Sequence, residues 1–359
     1  MTPQRMASPP RNSSNLSLTK KLFLAWSLLL GASGCALAAN DLPAGTGWVN
    51  ISDPLVAALT NAGVVIPWPG NTSGVAVDRP TGDLYLDVCN LGPWKSTDHG
   101  SNFQRVAEGQ ISGRCEFGYA INCDPAGGRM ACLLLDGKGG MTLDGGQSWH
   151  AFTGVGRNWE YGAADWSDPQ ARAIFADRHE SGGEKYVSND AGVTWKFIGK
   201  HPEFTSVGVF GARTLVAGTK RGILRSTDGG ETWQQISELH PVGRVAVYFN
   251  GLTYWLAEEG LITSGDKGAT WQKAGAALKA GWGPFFGKDA QNIVVDDDQV
   301  FWQTADGGRT WKRIASLPSF KGEFAPKLPG QFLSVAWDSK NNFLYASRMG
   351  NPTFRLQLK

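Results

Sequence analysis

One eight-residue pattern recurs six times along the chain, and its spacing limits the folds that the chain can form. Its third position is always aspartate and its fifth is always glycine, and five of the six copies end in tryptophan. The copies span residues 96–103, 142–149, 188–195, 226–233, 264–271 and 304–311. Successive aspartates lie 46, 46, 38, 38 and 40 residues apart. A period of about 40 residues predicts one supersecondary unit per repeat, close to the length of a four-stranded blade.

The residue types of the repeat indicate a tight turn. The aspartate carboxylate can accept hydrogen bonds from backbone N–H groups of its own turn. The glycine two positions later can adopt the left-handed conformation that such a turn requires. The final tryptophan brings a large ring that can be buried between neighbouring units. We therefore predict structural roles for the six aspartates, which are Asp98, Asp144, Asp190, Asp228, Asp266 and Asp306.

This pattern resembles the Asp-box, or bacterial neuraminidase (BNR), repeat. Only the first copy, which ends in Asn102-Phe103, departs from the Thr/Ser-Trp ending, and the resemblance covers nearly all of residues 75–315. In that superfamily the box lies on the hairpin between the third and fourth strands of a propeller blade. The superfamily includes sialidases, xyloglucanases and the photosystem II assembly factor. The resemblance implies a β-propeller, in which ligands usually bind on the face opposite the boxes.

Strand patterns predict seven blades. Two apolar segments joined by a turn precede each box, as at 74–77 and 84–86 before the first. A seventh unit lacks a box and ends one strand short, with strands at 332–337, 343–346 and 354–358. Residues 47–51 resemble the strand that leaves a box. We therefore predict an all-β fold, a seven-bladed β-propeller of four-stranded blades, whose ring the N-terminal strand closes so that no sheet edge stays open.

The first 38 residues have the features of a signal peptide. Arg5, Arg11, Lys20 and Lys21 precede the apolar run 22–30, and Ala36-Leu37-Ala38 offers a cleavage site. The apolar run is too short to span a bilayer. We expect a single propeller domain over 39–359, located in the periplasm or secreted. Cys35 follows a degenerate lipobox, so a lipoprotein is the alternative.

Composition argues against nucleic acid as a partner. Without the signal peptide the chain has 30 basic and 32 acidic residues, so it lacks the positive charge that binds phosphates. We expect a monomer without a transmembrane segment. Neither a cofactor motif nor a metal-binding spacing is present. The acidic run 296–298 could bind a cation, but a polar hairpin turn is the preferred interpretation.

Four cysteines remain after removal of the signal peptide, and an even number in an exported chain favours disulfides. Cys123 and Cys132 flank a turn sequence, which predicts one disulfide across a hairpin and leaves Cys89 to pair with Cys115. Four buried thiols are the alternative. A zinc site is not expected, because there is no CxxC spacing and no partner histidine.

Candidate catalytic residues come from the strand ends opposite the boxes. Carboxylates there could perform acid/base hydrolysis of a glycan, and aromatic rings could stack on its sugars. The proposed catalytic residues are Asp87, Glu116, Glu160 and Asp177. The proposed substrate-binding residues are Trp94, Arg114, Trp159, Tyr161, His179, Arg244, Trp282 and Arg348. For any single acid, the capping of a turn is the competing interpretation.

Two classes of function agree with these patterns. No GxSxG, HExxH, P-loop or GxGxxG motif is present. The Arg-Ile-Pro motif of sialidases is also missing near the first blade, which argues against a typical sialidase. The first class is a glycoside hydrolase or lyase that acts on an extracellular polysaccharide or other glycan. The second is a non-catalytic propeller that binds a glycan or protein or assists assembly, because the fold alone does not decide function.

Overall fold

The predicted repeat units form seven four-stranded antiparallel sheets. The computed structural model describes residues 47–155, 158–321 and 331–359. The predicted signal peptide and Cys35 lie outside these ranges. In each of the first six blades the strands follow one another across the sheet in chain order, and the box connects the third strand to the fourth. The prediction of seven four-stranded blades is confirmed.

The strand bounds follow the repeat closely. Blade 1 contains Thr72–Asp78, Asp83–Val88, Gly92–Ser96 and Gln104–Arg105. Blade 2 contains Ile121–Cys123, Met130–Cys132, Gly140–Thr142 and His150–Ala151. Blade 3 contains Trp159–Ala164, Ile174–Arg178, Glu184–Ser188 and Lys196–Lys200. Blade 4 contains Ser206–Val209, Leu215–Thr219, Gly222–Ser226 and Gln234–Ser237.

The last three blades repeat this arrangement. Blade 5 contains Val247–Phe249, Leu252–Ala257, Gly260–Ser264 and Gln272–Lys273. Blade 6 contains Trp282–Phe286, Ile293–Asp296, Val300–Thr304 and Lys312–Ser316. Blade 7 contains Leu333–Asp338, Phe343–Arg348, Phe354–Gln357 and, from the other end of the chain, Val49–Asn50. Beside blade 2, Ser112–Arg114 pairs with Leu135–Lys138.

The N-terminal strand closes the ring as predicted. Val49 pairs with Arg355 and Asn50 pairs with Phe354 in antiparallel register. Beyond the strand, the Thr353 N–H donates to the buried Ser52 hydroxyl at 2.9 Å. This pairing covers the edge of blade 7 that would otherwise offer unpaired backbone groups to another chain.

A helix that the strand patterns did not predict follows this strand. It spans Asp53–Asn61, with proline in its first turn, where the missing N–H costs nothing. Its buried residue Leu59 packs with Val88 and Trp94 of blade 1. Within the described ranges, no helix is long and apolar enough to cross a membrane.

The boxes use their polar groups as predicted. In the fifth box, Asp266 accepts the Thr270 N–H at 2.9 Å on Oδ1 and the Thr270 hydroxyl at 2.6 Å on Oδ2. Ser264 donates to the same carboxylate at 2.9 Å and accepts the Gly268 N–H at 2.9 Å. Gly268 has a φ of +73°, which favours glycine. The hydrogen bonds from Thr270 hold the pKa of Asp266 at about 2.

Removal of one box carboxylate is expected to lower stability. We expect Asp266→Ala to reduce the melting temperature at pH 7 by roughly 1–2 °C, the change that about 1 kcal/mol produces in a domain of this size. Because the folded pKa lies below that of the unfolded chain, the stabilisation is present above pH 4 and is lost as the pH falls towards 2. Thermal melts at pH 7 and pH 3 check this, with exposed Lys273→Ala as the control. An unchanged melting temperature at pH 7 would contradict it.

The predicted disulfides are absent, and the structure corrects that expectation: Cys89, Cys115, Cys123 and Cys132 are free thiols. In the blade 2 hairpin Cys123 lies opposite Met130 and Cys132 lies opposite Ile121, so the two cysteines are diagonal neighbours. Diagonal pairs in antiparallel sheets lie about 7–8 Å apart between Cα atoms, beyond the usual range for a disulfide.

The second predicted pair, Cys89 with Cys115, is also unbridged. A Cβ at Gly74 would lie 2.5 Å from the Cys115 sulfur, so this thiol packs directly on the inner strand of blade 1. Burial raises the pKa of Cys89 to about 12 and that of Cys115 well above its usual value. The alternative of buried thiols is therefore the one that the structure has, although Cys123 is only partly buried.

Candidate functional site

A cavity of about 980 Å³ opens on the face opposite the boxes. Most of its wall residues lie at the ends of second strands or the beginnings of first strands in blades 3 to 6, or in the segments next to them. The boxes, in contrast, join third strands to fourth strands. The charged residues in this wall are Glu160, Asp177, Lys220, His240, Arg244, Glu258, Lys279, Asp297 and Asp298. The cavity is therefore polar, with both signs of charge.

The segment that leads into blade 2 crosses the middle of the ring. Phe117 makes an edge contact with the Tyr161 ring of blade 3 at 5.8 Å between centroids. Tyr119 stacks on Trp282 of blade 6 at 4.7 Å and donates a hydrogen bond to the Gly281 carbonyl at 2.8 Å. This short segment therefore contacts blades on both sides of the ring. It lies between the polar cavity and the interior on the box side.

A smaller cavity of about 100 Å³ lies on the box side of that segment. Inner-strand side chains such as Val75, Val335 and Phe286 line it, so it is mostly apolar. Arg79 lies at this end, where it donates to the Gly287 carbonyl at 2.8 Å and to the Pro125 carbonyl. The chemistry-bearing residues are on the other side.

Glu160 and Asp177 share the wall of the large cavity. Burial raises the pKa of Glu160 to about 7, and the neighbouring charge of Asp177 acts in the same direction. Asp177 forms an ion pair with the buried ammonium group of Lys185 at 2.8 Å. Burial also raises the pKa of Asp177, but Lys185 opposes that rise. A close cation therefore stabilises the charged form of Asp177, whereas Glu160 has no such ion pair with a lysine among the described residues.

Glu116 and His179 lie next to Glu160. His179 Nδ1 is 4.0 Å from a Glu160 oxygen, and its Nε2 is 3.7 Å from Glu180. Burial raises the pKa of Glu116, against the opposing charges of His179 and Arg114. The structure thus brings Glu116, Glu160 and Asp177 near one another, with His179 beside Glu160, although Glu116 and His179 are not part of the cavity wall.

Asp87 lies apart from this group. It is 0 % exposed, accepts a hydrogen bond from the Ser73 hydroxyl, and is not part of the cavity wall. Burial raises its pKa to about 7. Its Oδ1 makes no hydrogen bond among the described residues. A carboxyl group so enclosed does not reach a glycan in the cavity.

The tryptophans proposed to stack on sugars are buried. Trp159 packs against Trp195 at 4.5 Å, and Trp282 stacks on Tyr119 and donates to Asp298 at 2.8 Å. Trp94 is covered by the unpredicted helix. Tyr161 is also buried, at 2 % exposure. These rings fill space between blades, because a large ring gains more from packing than from an open position.

One exposed tryptophan lies near the group around Glu116. Trp68 is 61 % exposed, and the Arg114 guanidinium lies over its ring at 5.0 Å. Arg114 also forms an ion pair with Asp136. Nothing in the sequence patterns indicated that this ring would be exposed.

The remaining proposed binding arginines occupy different places. Arg244 is in the cavity wall, where its guanidinium lies 4.7 Å from the Phe117 ring centre and 5.6 Å from that of Tyr161. Arg348 lies over the Phe320 ring at 4.8 Å, outside that wall.

The acidic run 296–298 forms a turn. Asp296 accepts the Asp298 N–H at 2.8 Å, and Asp297 accepts the Val300 N–H at 2.8 Å. In the parts of the chain that the structure describes, no group of three or more His, Cys, Asp or Glu side chains is arranged to hold a metal ion.

Comparison with known proteins identifies the repeat. The family described as BNR/Asp-box repeat matches residues 224–235. Among solved structures, the GH74 enzyme of Niastella koreensis is 17 % identical with a TM-score of 0.48, over 86 % of this chain and 53 % of that one. The chain thus spans about half the length of that enzyme. No curated protein matches the sequence.

Two further structures are of YCF48. YCF48 bound to D1 peptide is 13 % identical with a TM-score of 0.46, over 90 % of this chain and 100 % of that one. YCF48 from Cyanidioschyzon merolae is 12 % identical with a TM-score of 0.41, over 81 % and 97 % of the two chains. From its own boxes and sheets, together with the repeat match, this chain is a seven-bladed β-propeller of BNR/Asp-box repeats.

Proposed function

We propose that this propeller is an exported glycoside hydrolase, with Glu160 as the general acid and Asp177 as its carboxylate partner. The observation that carries the proposal is the unequal environment of two carboxyl groups in one cavity wall. Burial raises the pKa of Glu160 to about 7, so this side chain can carry a proton near neutral pH. Lys185, 2.8 Å from Asp177, favours the charged form of that carboxylate. Carboxyl pairs of this kind divide acid and base roles.

The proposed hydrolysis uses these two carboxyl groups and one water molecule. Glu160 would give its proton to the glycosidic oxygen as the bond from that oxygen to the anomeric carbon breaks. The Asp177 carboxylate would stabilise the positive charge that develops on the sugar. Water then supplies the hydroxyl group to the anomeric carbon, and its proton restores Glu160.

Glu116 and His179 would position the acid rather than react. His179 lies between Glu180 and Glu160, at 3.7 and 4.0 Å. The charge of His179 is the leading influence that opposes the raised pKa of Glu116. In this arrangement Glu116 would orient the imidazole, which in turn faces the Glu160 carboxyl group.

The direct test is incubation of the purified mature chain with a panel of polysaccharides. We expect new reducing ends from at least one of them. A lyase would instead produce an unsaturated product, which ultraviolet absorbance detects. Glu231→Gln is the control for a Glu160→Gln variant, because Glu231 is exposed within the fourth box, on the opposite face, where it pairs with Lys196. If no polysaccharide is cleaved by either route, the proposal is wrong.

A non-catalytic binding propeller is the second candidate, and the buried tryptophans favour it. Because Trp94, Trp159 and Trp282 offer no open ring face, the cavity lacks the expected platforms for sugars. Its wall has charges of both signs, so the cavity could also bind a polypeptide. Binding to a panel member without any cleavage would support this function.

A further inference from the structure

We infer that the cavity binds an acidic glycan, one that carries carboxylate or sulfate groups, and that Arg244 and Lys220 bind those groups. The inference rests on the proposed function, because it takes the same cavity as the substrate site. It adds the chemical class of the substrate and two residues that select it.

Several charged side chains of the cavity wall already form ion pairs. Lys279 pairs with Glu258 at 2.9 Å, and His240 pairs with Glu259 at 2.8 Å. Asp177 pairs with Lys185 from behind the wall. Once these pairs are set aside, the cations of the wall that form no ion pair with a described residue are Arg244 and Lys220. The charge of Arg244 still lowers the pKa values of the nearby Glu160 and Asp177 carboxyl groups.

The two acids on the blade 6 side of the cavity already accept several hydrogen bonds. Asp297 accepts from the Trp302 indole at 2.8 Å and from two backbone N–H groups. Asp298 accepts from the Trp282 indole at 2.8 Å. These bonds fix the acids in their own turn, and their charge would keep an anionic group of the ligand on the opposite side.

The contacts of Arg244 hold its side chain in a position from which it can bind an anion. Its guanidinium lies against the rings of Phe117 and Tyr161, and Nη1 donates to the Thr205 carbonyl at 2.9 Å. Nε and Nη2 make no hydrogen bond to any described residue, although the group is only partly exposed. A planar guanidinium with unused donors suits a carboxylate or a sulfate, and little side-chain entropy is lost when it binds.

Lys220 lies on the same side of the cavity. It follows the second strand of blade 4, is exposed, and forms no ion pair with a described residue. The Thr205 N–H donates to Gly218 at 2.9 Å, and the Thr205 carbonyl accepts from Arg244. Thr205 therefore connects the strand that presents Lys220 to the guanidinium, which places both cations on one side of the cavity.

The test uses the mature chain with Glu160→Gln, so that binding is measured without turnover. The probes are oligogalacturonides for carboxylate, carrageenan oligosaccharides for sulfate, and xyloglucan oligosaccharides as the neutral reference. Calorimetry should show that at least one acidic probe binds about ten- to a hundredfold more tightly than the neutral one. That preference should weaken with added salt.

Substitutions identify the residues responsible. We expect Arg244→Gln to remove about tenfold or more of the affinity for the acidic probe, and Lys220→Ala to remove a smaller part. Lys220 is exposed, so its variant should fold even if the Arg244 variant does not. Lys196→Ala, an exposed lysine near a box on the other face, should bind as before. Equal affinity for acidic and neutral probes, or full affinity in both variants, would overturn the inference.

The outcomes separate this inference from the proposed function. Cleavage of a neutral glycan without binding of acidic probes would leave the hydrolase standing and refute the acidic substrate. Binding of an acidic probe that depends on Arg244, without cleavage by the unsubstituted chain, would refute the hydrolase and support the acidic ligand.

Discussion

Replacement of Glu160 by glutamine is expected to lower the rate of glycan cleavage about 10²- to 10⁴-fold, the usual contribution of a general acid. Glutamine keeps the size of the side chain and cannot donate the proton. The melting temperature should stay nearly unchanged, because no described residue donates a hydrogen bond to the Glu160 carboxyl group. Its ionic neighbour is His179, at 4.0 Å.

The pH dependence of kcat/KM tests whether Glu160 acts in its protonated form. Burial raises the pKa of Glu160 to about 7, so the acid is protonated below that pH and loses its proton above it. We expect kcat/KM to fall as the pH rises through about 7, and the Glu160→Gln variant to lack this limb. The Glu231→Gln control should keep both the rate and the limb. A glutamine variant that retains full activity would refute the assignment of Glu160.

Loss of the buried lysine should have the second large effect. Lys185 is 1 % exposed and its ammonium group lies 2.8 Å from Asp177. We expect Lys185→Met to reduce the free energy of unfolding by about 3–5 kcal/mol at pH 7, because it leaves a buried carboxylate without its partner. Chemical denaturation of the mature chain measures this.

The dependence on pH and a second variant test the cause. Without Lys185, the pKa of Asp177 should rise further above its value in the unfolded chain. The cost is therefore smallest well below pH 4, where the carboxyl group is protonated in both states, and grows as the pH rises. The double variant Lys185→Met with Asp177→Asn should recover part of the stability. If Lys185→Met unfolds like the unsubstituted chain, the pair does not stabilise the fold.

The turns and strands followed from the sequence because their causes are local. In each box the aspartate bonds to groups no more than four residues away, as Asp266 does with Thr270. The inner strands of blade 1 were predicted over 74–77 and 84–86, and they extend over Thr72–Asp78 and Asp83–Val88. The ring closure was also predictable from the sequence, because an incomplete last blade requires a strand from elsewhere in the chain.

The site was only partly predictable. The sequence placed Glu160, Asp177 and Arg244 at strand ends on one face, and the structure has all three in one cavity wall. It had no signal that residues 115–120 would cross the ring, because that path depends on contacts of Phe117 and Tyr119 with blades far away in the chain.

The repeat period and the chemistry of the boxes determined the fold of this protein, through hydrogen bonds that each turn makes within itself. Tertiary packing alone decided which side chains face the cavity. Trp159 and Asp87 have the residue types of a sugar site, yet both are fully buried, at 0 % exposure. The spacing of Cys123 and Cys132 allowed a disulfide, but the register of the hairpin sets them diagonally. Exposure and register arise from neighbours distant in sequence, so a local pattern does not specify them.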